Sequence, residues 1–243
     1  MSEARYSEIG SRLRYVRTIQ LGLTQEVLSE KLGISVEFYR TVESGKSLPN
    51  LNILTLLHQI YKDVDYVLLG RHAQPSVFDV VLGKMTEIRR ENICNLLVYK
   101  MKELQIASQK QNDVKIHTPD YITLNHETPG IVITPYDRVR EIIIFSHMSE
   151  RPYGRLDKQK LSNDDIAQDI NKSNRTISRL LHGKAVLKTD MVMAVCDKYD
   201  FAPSYILFGE INSNSLADRY YDVMSEKDRE QVMKFAKILS EYL

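Results

Sequence analysis

Apolar residues recur along the chain at helical spacing. Ile9, Leu13, Val16 and Ile19 fall on one face of a first helix. Thr24 opens a short second helix that carries Val27, Leu28 and Leu32, and Gly33 breaks it. Ser35 can cap a third helix through its hydroxyl. That helix carries Phe38, Tyr39 and Val42 and ends at Gly45. A fourth helix follows Pro49 and Asn50 with Ile53, Leu54, Leu57 and Ile60, and Asp63 opens a fifth with Val67 and Leu68.

The pattern then returns. The stretch 161–199, LSNDDIAQDINKSNRTISRLLHGKAVLKTDMVMAVCDKY, lies over 23–61, LTQEVLSEKLGISVEFYRTVESGKSLPNLNILTLLHQIY, without a gap. Leu28 meets Ile166, Leu32 meets Ile170, Ser35 meets Ser173, and Tyr61 meets Tyr199. One inserted residue later YVLLG (66–70) meets YILFG (205–209), and MTEIRRENI (85–93) meets MSEKDREQV (224–232). The repeating unit is a helical bundle followed by one more helix.

The copies differ at their front. The first helix of the second copy is expected over 137–148, with Val139, Ile142, Ile143 and, at its end, Met148 turned inward. SERPYGRLDK (149–158) then forms a loop, and Ser162 with Asp165 resembles a capping box. The predicted fold is all-α. Its parts are a bundle over 1–75, a connecting helix over 76–105, a linker or small β-hairpin over 106–134, and a second, divergent bundle with a C-terminal helix over 135–243. The linker segment is polar, contains Pro119 and Pro129, and has β-branched runs at 121–124 and 131–134. Helices 85–105 and 224–243 each carry an apolar stripe, which packs on its own bundle, on the other helix or on a second subunit.

With 243 residues, 43% of them hydrophobic, the chain can build one large or two modest cores. Its 33 Lys and Arg nearly balance 32 Asp and Glu, so any nucleic-acid affinity must come from local patches. The two cysteines, Cys94 and Cys196, lie on apolar helix faces and are expected in the core, with neither a metal spacing nor a disulfide framework. The six histidines form no ligand cluster, and no Ser/His/Asp set, P-loop or GxGxxG gives an enzyme or a cofactor a foothold. The opening MSEARYSEIG lacks an apolar signal core, and the apolar run at 142–145 is too short to span a bilayer. A cytoplasmic protein that does not enter the membrane is expected.

Two short helices around a glycine turn make a helix-turn-helix, whose second helix fits the major groove. LTQEVLSEKLGIS followed by VESGKSLPNLNILTLL resembles the Cro/repressor-type, or XRE, helix-turn-helix regulators. The resemblance rests on Thr24-Gln25, the Gly33-Ile34-Ser35 turn and the Glu43-Ser44-Gly45-Lys46 exit. It covers about 60–65 residues of each unit and implies two tandem units. The second departs from the pattern, with Asn163 at the Gln position and Asn171-Lys172 in the turn.

Carried over by position, the resemblance sets Gln25 against a phosphate and Val36, Glu37 and Thr41 against bases, with Arg40 beside them. In the second copy the base-facing positions are Asn174, Arg175 and Arg179, flanked by Lys172, Ser173 and Lys184. The two sets differ in chemistry. Arg pairs with guanine and Asn with adenine through two parallel hydrogen bonds, each pair discriminating by about 1–3 kcal/mol. Val36 can only touch a thymine methyl, and Glu37 repels the backbone unless it accepts from a cytosine. Over 151–190 nine basic residues face five acidic ones, whereas over 1–50 seven face six. The second copy is therefore the better expected reader.

Plainer readings stand beside these. Arg175 and Arg179 could be solvated helix charges, Lys46 and Lys184 could be helix-end charges, and Arg12, Arg14 and Arg17 are expected on the polar face of the first helix. Glu43 is expected to pair with a basic residue of that helix. The functional expectation is a bacterial or phage-type regulator of transcription, a repressor, acting on double-stranded DNA through helix 174–182 and through 36–44. A homodimer through 85–105 or 224–243 and a regulatory protein or peptide remain open as partners. The alternative is a protein-interaction module, antirepressor-like or antitoxin-like. A flexible 28-residue linker spans roughly 29 Å, so two tethered units can reach two half-sites.

Overall fold

The computed structural model describes residues 3–110, 134–149, 162–182, 184 and 186–242. All regular secondary structure among the described residues is helical. The first bundle holds α1 (Glu3–Tyr15), α2 (Gln25–Lys31), α3 (Val36–Glu43), α4 (Leu51–Ile60) and α5 (Val64–Leu69). Then come the short α6 (Asp79–Leu82) and the long α7 (Glu87–Lys110). The second half holds α8 (Pro135–Ser149), α9 (Asn163–Asp169), α10 (Asn174–Leu181), α11 (Thr189–Tyr199) and α12 (Pro203–Phe208), followed by α13 (Leu216–Asp222) and α14 (Glu226–Tyr242). Of the expected linker or hairpin, 106–110 extend α7, while 111–133 lie outside the described residues. The loop expected over 149–158 lies outside them too, apart from Ser149, and so does the side chain of Met148.

The first helix does not run as its apolar spacing suggests. After α1 the backbone makes a π-helical turn over Val16–Gln20, and Leu21 N–H bonds to the Val16 carbonyl five residues back at 2.9 Å. Val16 and Arg17 stay buried at the start of the turn, but the wider turn carries Ile19, expected inward, round to 66% exposure. Val27 also faces out, because α2 turns Leu28 and Leu32 into the core and Val27 stands about 100° round the helix from Leu28.

The local devices of the two halves correspond position by position. Thr24 caps α2 by accepting from Val27 N–H at 3.3 Å, and Ser162 caps α9 by accepting from Asp165 N–H at 3.4 Å. Ser35 and Ser173 cap α3 and α10, each accepting from the N–H three residues on at 3.2 Å. In the turns between, Gly33 has φ of 62° and Asn171, its counterpart, has φ of 50°. Asn enters this left-handed region more readily than other side chains, so the loss of glycine leaves the turn intact. Ile34 N–H bonds to Ser29 O at 3.1 Å, and Lys172 N–H bonds to Ala167 O at 2.8 Å, at matching positions.

Two hydrophobic cores result. Ile9, Leu13, Leu28, Tyr39, Leu54 and Leu68 are among the buried residues of the first. Val139, Ile142, Ile166, Ile177, Val192 and Ile206 belong to the second. The second core also takes Phe78, Leu82, Ile93, Leu97 and Met101 from the segment that follows the first bundle, and Val232 and Ala236 from α14. The α7 helix packs against α13 and α14, so the apolar stripes expected on 85–105 and 224–243 meet each other within one chain. Cys94 and Cys196 are buried free thiols, as their apolar settings imply.

The two halves pack directly against each other, with α5 on α12. Met193 of α11 sits in the first core, Leu207 packs against both cores, and the Thr189 hydroxyl donates to the Pro49 carbonyl. Two cores in contact do not behave as beads on the flexible 29 Å tether that the sequence suggested. At the centre, Asp65 is 3% exposed and accepts from Ser204 N–H at 2.7 Å and Ser204 Oγ–H at 2.6 Å. Nearby, Arg71 pairs with Asp200 at 2.8 Å, and His58 stacks on Phe208 with ring centroids 4.0 Å apart.

His58 Nδ1 lies 2.9 Å from the Lys62 carbonyl, which can only accept, so Nδ1 carries the proton. Nε2 then faces Glu210 Oε1 at 3.2 Å. Burial pushes the Glu210 carboxyl up to about 7, helped by Asp65 and Glu87 and opposed by Lys62, and burial also pulls the His58 imidazole down. Both shifts favour a neutral pair in which the Glu210 hydroxyl donates to Nε2. A raised carboxyl binds its proton more tightly in the folded state. Its stability contribution is therefore full below the ordinary glutamate range near 4.5 and fades as pH rises through about 7. Melting curves of wild type against Glu210→Gln should diverge over that window. The difference should be on the order of 1–2 kcal/mol once solvent screening of a partly exposed carboxyl is allowed for. A difference flat from pH 5 to 8 would remove the neutral pair.

Candidate nucleic-acid interface

The geometry of α2 and α3 follows from a few close contacts. Gly10 on α1 lets that helix approach the end of α3, since a Cβ there would stand 2.4 Å from the Glu43 carbonyl oxygen. The Glu43 side chain, only 1% exposed, then accepts from Arg17 Nε at 2.9 Å, from Arg17 Nη2 at 2.8 Å and from Arg14 Nε at 2.9 Å. Burial alone would raise this carboxyl, but the guanidinium hydrogen bonds outweigh it and hold it at about 2. The ion pair expected between Glu43 and the first helix is thus present, and it fixes α3 by its last residue. Arg12, on α1, donates to the carbonyls of Val67 at 2.9 Å and Leu68 at 3.1 Å.

On α3, Val36 and Thr41 are half-buried and Glu37 and Arg40 are exposed. Arg40 is tied back to α2, donating to Gln25 Oε1 and to Glu26 Oε1, each at 3.1 Å. That bond occupies the Gln25 carbonyl and leaves its amide N–H groups for a phosphate. Thr41 Oγ1 donates to the Phe38 carbonyl at 2.7 Å. Lys46, just past the helix, is exposed.

On α10, Ile177 and Leu180 face the core, and Asn174, Arg175 and Arg179 are exposed on the opposite side. Arg175 has no ion pair or hydrogen bond among the described residues. Arg179 donates to the Lys184 carbonyl at 3.1 Å, a bond that stays close to the helix end and leaves other guanidinium donors free. Asn174 donates to Asp164, and Lys172 pairs with Asp190. These two acids were not anticipated from the sequence: they engage Asn174 and Lys172, two of the donors expected to read DNA. The signal was present in the charge count, which set nine basic against five acidic residues without placing them. Of those nine, Arg151, Arg155, Lys158 and Lys160 lie outside the described residues.

Asn174, Arg175 and Arg179 thus lie on one capped helix, and the Arg175 guanidinium is unengaged among the described residues. Val36, Glu37, Arg40 and Thr41 lie on α3, which the Glu43 ion pairs tie to Arg14 and Arg17, while Gln25 lies on α2 and Lys46 just past α3. No group of three or more metal-ligating side chains occurs among the described residues. No described helix is long and apolar enough to cross a membrane.

Known proteins bear on this arrangement. A family model described as helix-turn-helix matches residues 13–69, which carry α2 to α5 and the end of α1. The chain is 32% identical over 102 residues to the SPbeta prophage-derived uncharacterized HTH-type transcriptional regulator YonR of Bacillus subtilis (strain 168). The match spans 39% of this chain and 94% of that relative. No solved structure matches the chain. With its α2–α3 turn inside the matched segment and a relative covered almost end to end, this chain belongs to the XRE-type helix-turn-helix family of DNA-binding transcriptional regulators.

Proposed function

We propose that the chain is a sequence-specific repressor of bacterial or phage type with two helix-turn-helix readers, one in 1–75 and a divergent one in 135–243. It sets α10 in the major groove through Arg175 and Arg179 and places α3 as a second, weaker reader. The observation that carries this reading is Arg175: exposed, unpartnered among the described residues, and one turn from Arg179 on a helix capped as α3 is. Two guanidinium groups at i and i+4 share one face and match guanine edges. The Ser173-capped end adds the positive end of the helix dipole, which suits a phosphate. Asn174 and Lys172 join when their bonds to Asp164 and Asp190 are exchanged for DNA contacts, with Ser173, Lys184, Gln25 and Lys46 near the backbone. Repression follows from occlusion, since a bundle seated in the groove excludes other proteins from it.

Selection of random duplexes at low salt tests this. Wild type should enrich a motif, and its affinity should fall about 10²-fold between about 50 and 200 mM salt for four phosphate contacts. No enrichment above background would sink the reading. A second reading has its own support. Glu37 and Val36 on α3, and Asp164 beside α10, weaken both faces as DNA readers, which suits a protein-interaction module of antirepressor or antitoxin type. Such an interface would show little salt dependence.

A further inference from the structure

The contact between Asp65 and Ser204 joins equivalent positions. The alignment that sets 66–70 over 205–209 also sets Asp65 over Ser204 and Arg71 over Glu210. Both helices there are six residues long and close on a left-handed glycine, Gly70 with φ of 74° and Gly209 with φ of 75°. When equivalent residues of two like units touch, the units are related by an approximate two-fold axis through the contact, as in an isologous dimer. Here both halves of that dimer are in one chain.

The pairing is also heterotypic. Asp65 finds two donors on Ser204. Two first halves paired in this way would set Asp65 against Asp65 in a buried position, where like carboxylates repel strongly. Arg71, which pairs with Asp200, would face Lys62, the counterpart of Asp200 in the ungapped alignment. The interface rewards the mixed pair and penalises the like one.

We infer that one chain alone occupies an operator of two unequal half-sites at fixed spacing, with α5 packed on α12 standing in for the subunit interface of a homodimer. The inference rests on the DNA reading above and deepens it. A two-fold places α3 and α10 on opposite sides of the axis. Rigidly paired readers meet half-sites about 34–36 Å apart along one face of the duplex. Because the two reading helices carry different side chains, the half-sites differ in sequence.

The test uses the full chain and the duplex it selects. The mass of the complex is measured, and affinity is followed as 5 base pairs are inserted between the half-sites, which turns one of them to the opposite face. The expected result is one chain per duplex and a loss of about 10²-fold or more on insertion, as the second contact is forfeited. Ser204→Asp should show a similar loss on the intact operator with binding to a single half-site kept, and Asp65→Ser/Ser204→Asp should regain the affinity by exchanging roles. Two chains on a palindrome, a one-half-site motif, or indifference to the insertion would each overturn the inference while leaving the DNA reading standing. A natively folded swap that regains nothing would also count against it. No selected duplex at all would overturn both.

Discussion

The double substitution Arg175→Ala/Arg179→Ala should abolish the selected motif while leaving the fold untouched. Both side chains are exposed and neither supports a core, so circular dichroism and melting should match wild type within about 0.5 kcal/mol. Each guanidinium that reads guanine is worth about 1–3 kcal/mol of discrimination. Losing both lowers affinity for the preferred duplex by roughly 30-fold to 10⁴-fold and leaves weak, salt-sensitive binding to any duplex. Arg175→Lys/Arg179→Lys separates charge from geometry. It keeps the phosphate attraction but not the two parallel bonds, so sequence preference should fall more than overall affinity. If the alanine pair binds the wild-type motif with unchanged affinity, α10 is not the reader.

The largest stability effect is expected at Glu43. Glu43→Gln keeps the shape but turns an amide group towards the guanidinium donors of Arg17 and Arg14 and leaves Arg17, 10% exposed, without a counter-charge. Breaking a buried pair from one side costs about 3–5 kcal/mol. For a chain of this length that lowers the melting temperature by roughly 6–20 °C. The carboxyl is held at about 2, below its unfolded value near 4.5. Its contribution is thus fully present above pH 4.5 and is lost as pH falls through about 2. Wild type should lose stability in acid over that window, and Glu43→Gln should lose less. A melting temperature within 1 °C of wild type would remove the clamp from the account. The second half has Leu181 at the matching position, packed against the second core, so α10 is held there by apolar contact instead.

Helix positions and caps were legible because they obey local rules. Thr24, Ser35, Ser162 and Ser173 all cap as their place before an apolar run suggests, and the repeat exposed Asn171 as the counterpart of Gly33. The π-helical turn at Val16–Gln20 was not legible, because a wider turn leaves no mark on apolar spacing until the helix rotates past it. The packing of α5 on α12 was hidden for another reason. Asp65 and Ser204 look like ordinary polar positions at helix starts, and nothing in a single sequence says that a polar residue is buried. The route of α7 was hidden likewise, since an apolar stripe says that a helix is covered but not by what. Around α10, residue types were legible and their engagement was not: Asp164 and Asp190 act across turns, at distances that spacing does not report.

The buried thiols carry a practical consequence. Cys94 and Cys196 are the chain's two cysteines, both enclosed, and burial pushes both thiols far above their ordinary range. Alkylating reagents attack the thiolate, so at neutral pH these two sulfurs react slowly. A single cysteine introduced at an outward site such as Ile19 or Val80, 66% and 89% exposed, then takes a fluorophore selectively with the native pair left in place. Labels of that kind can follow each half of the molecule separately in real time.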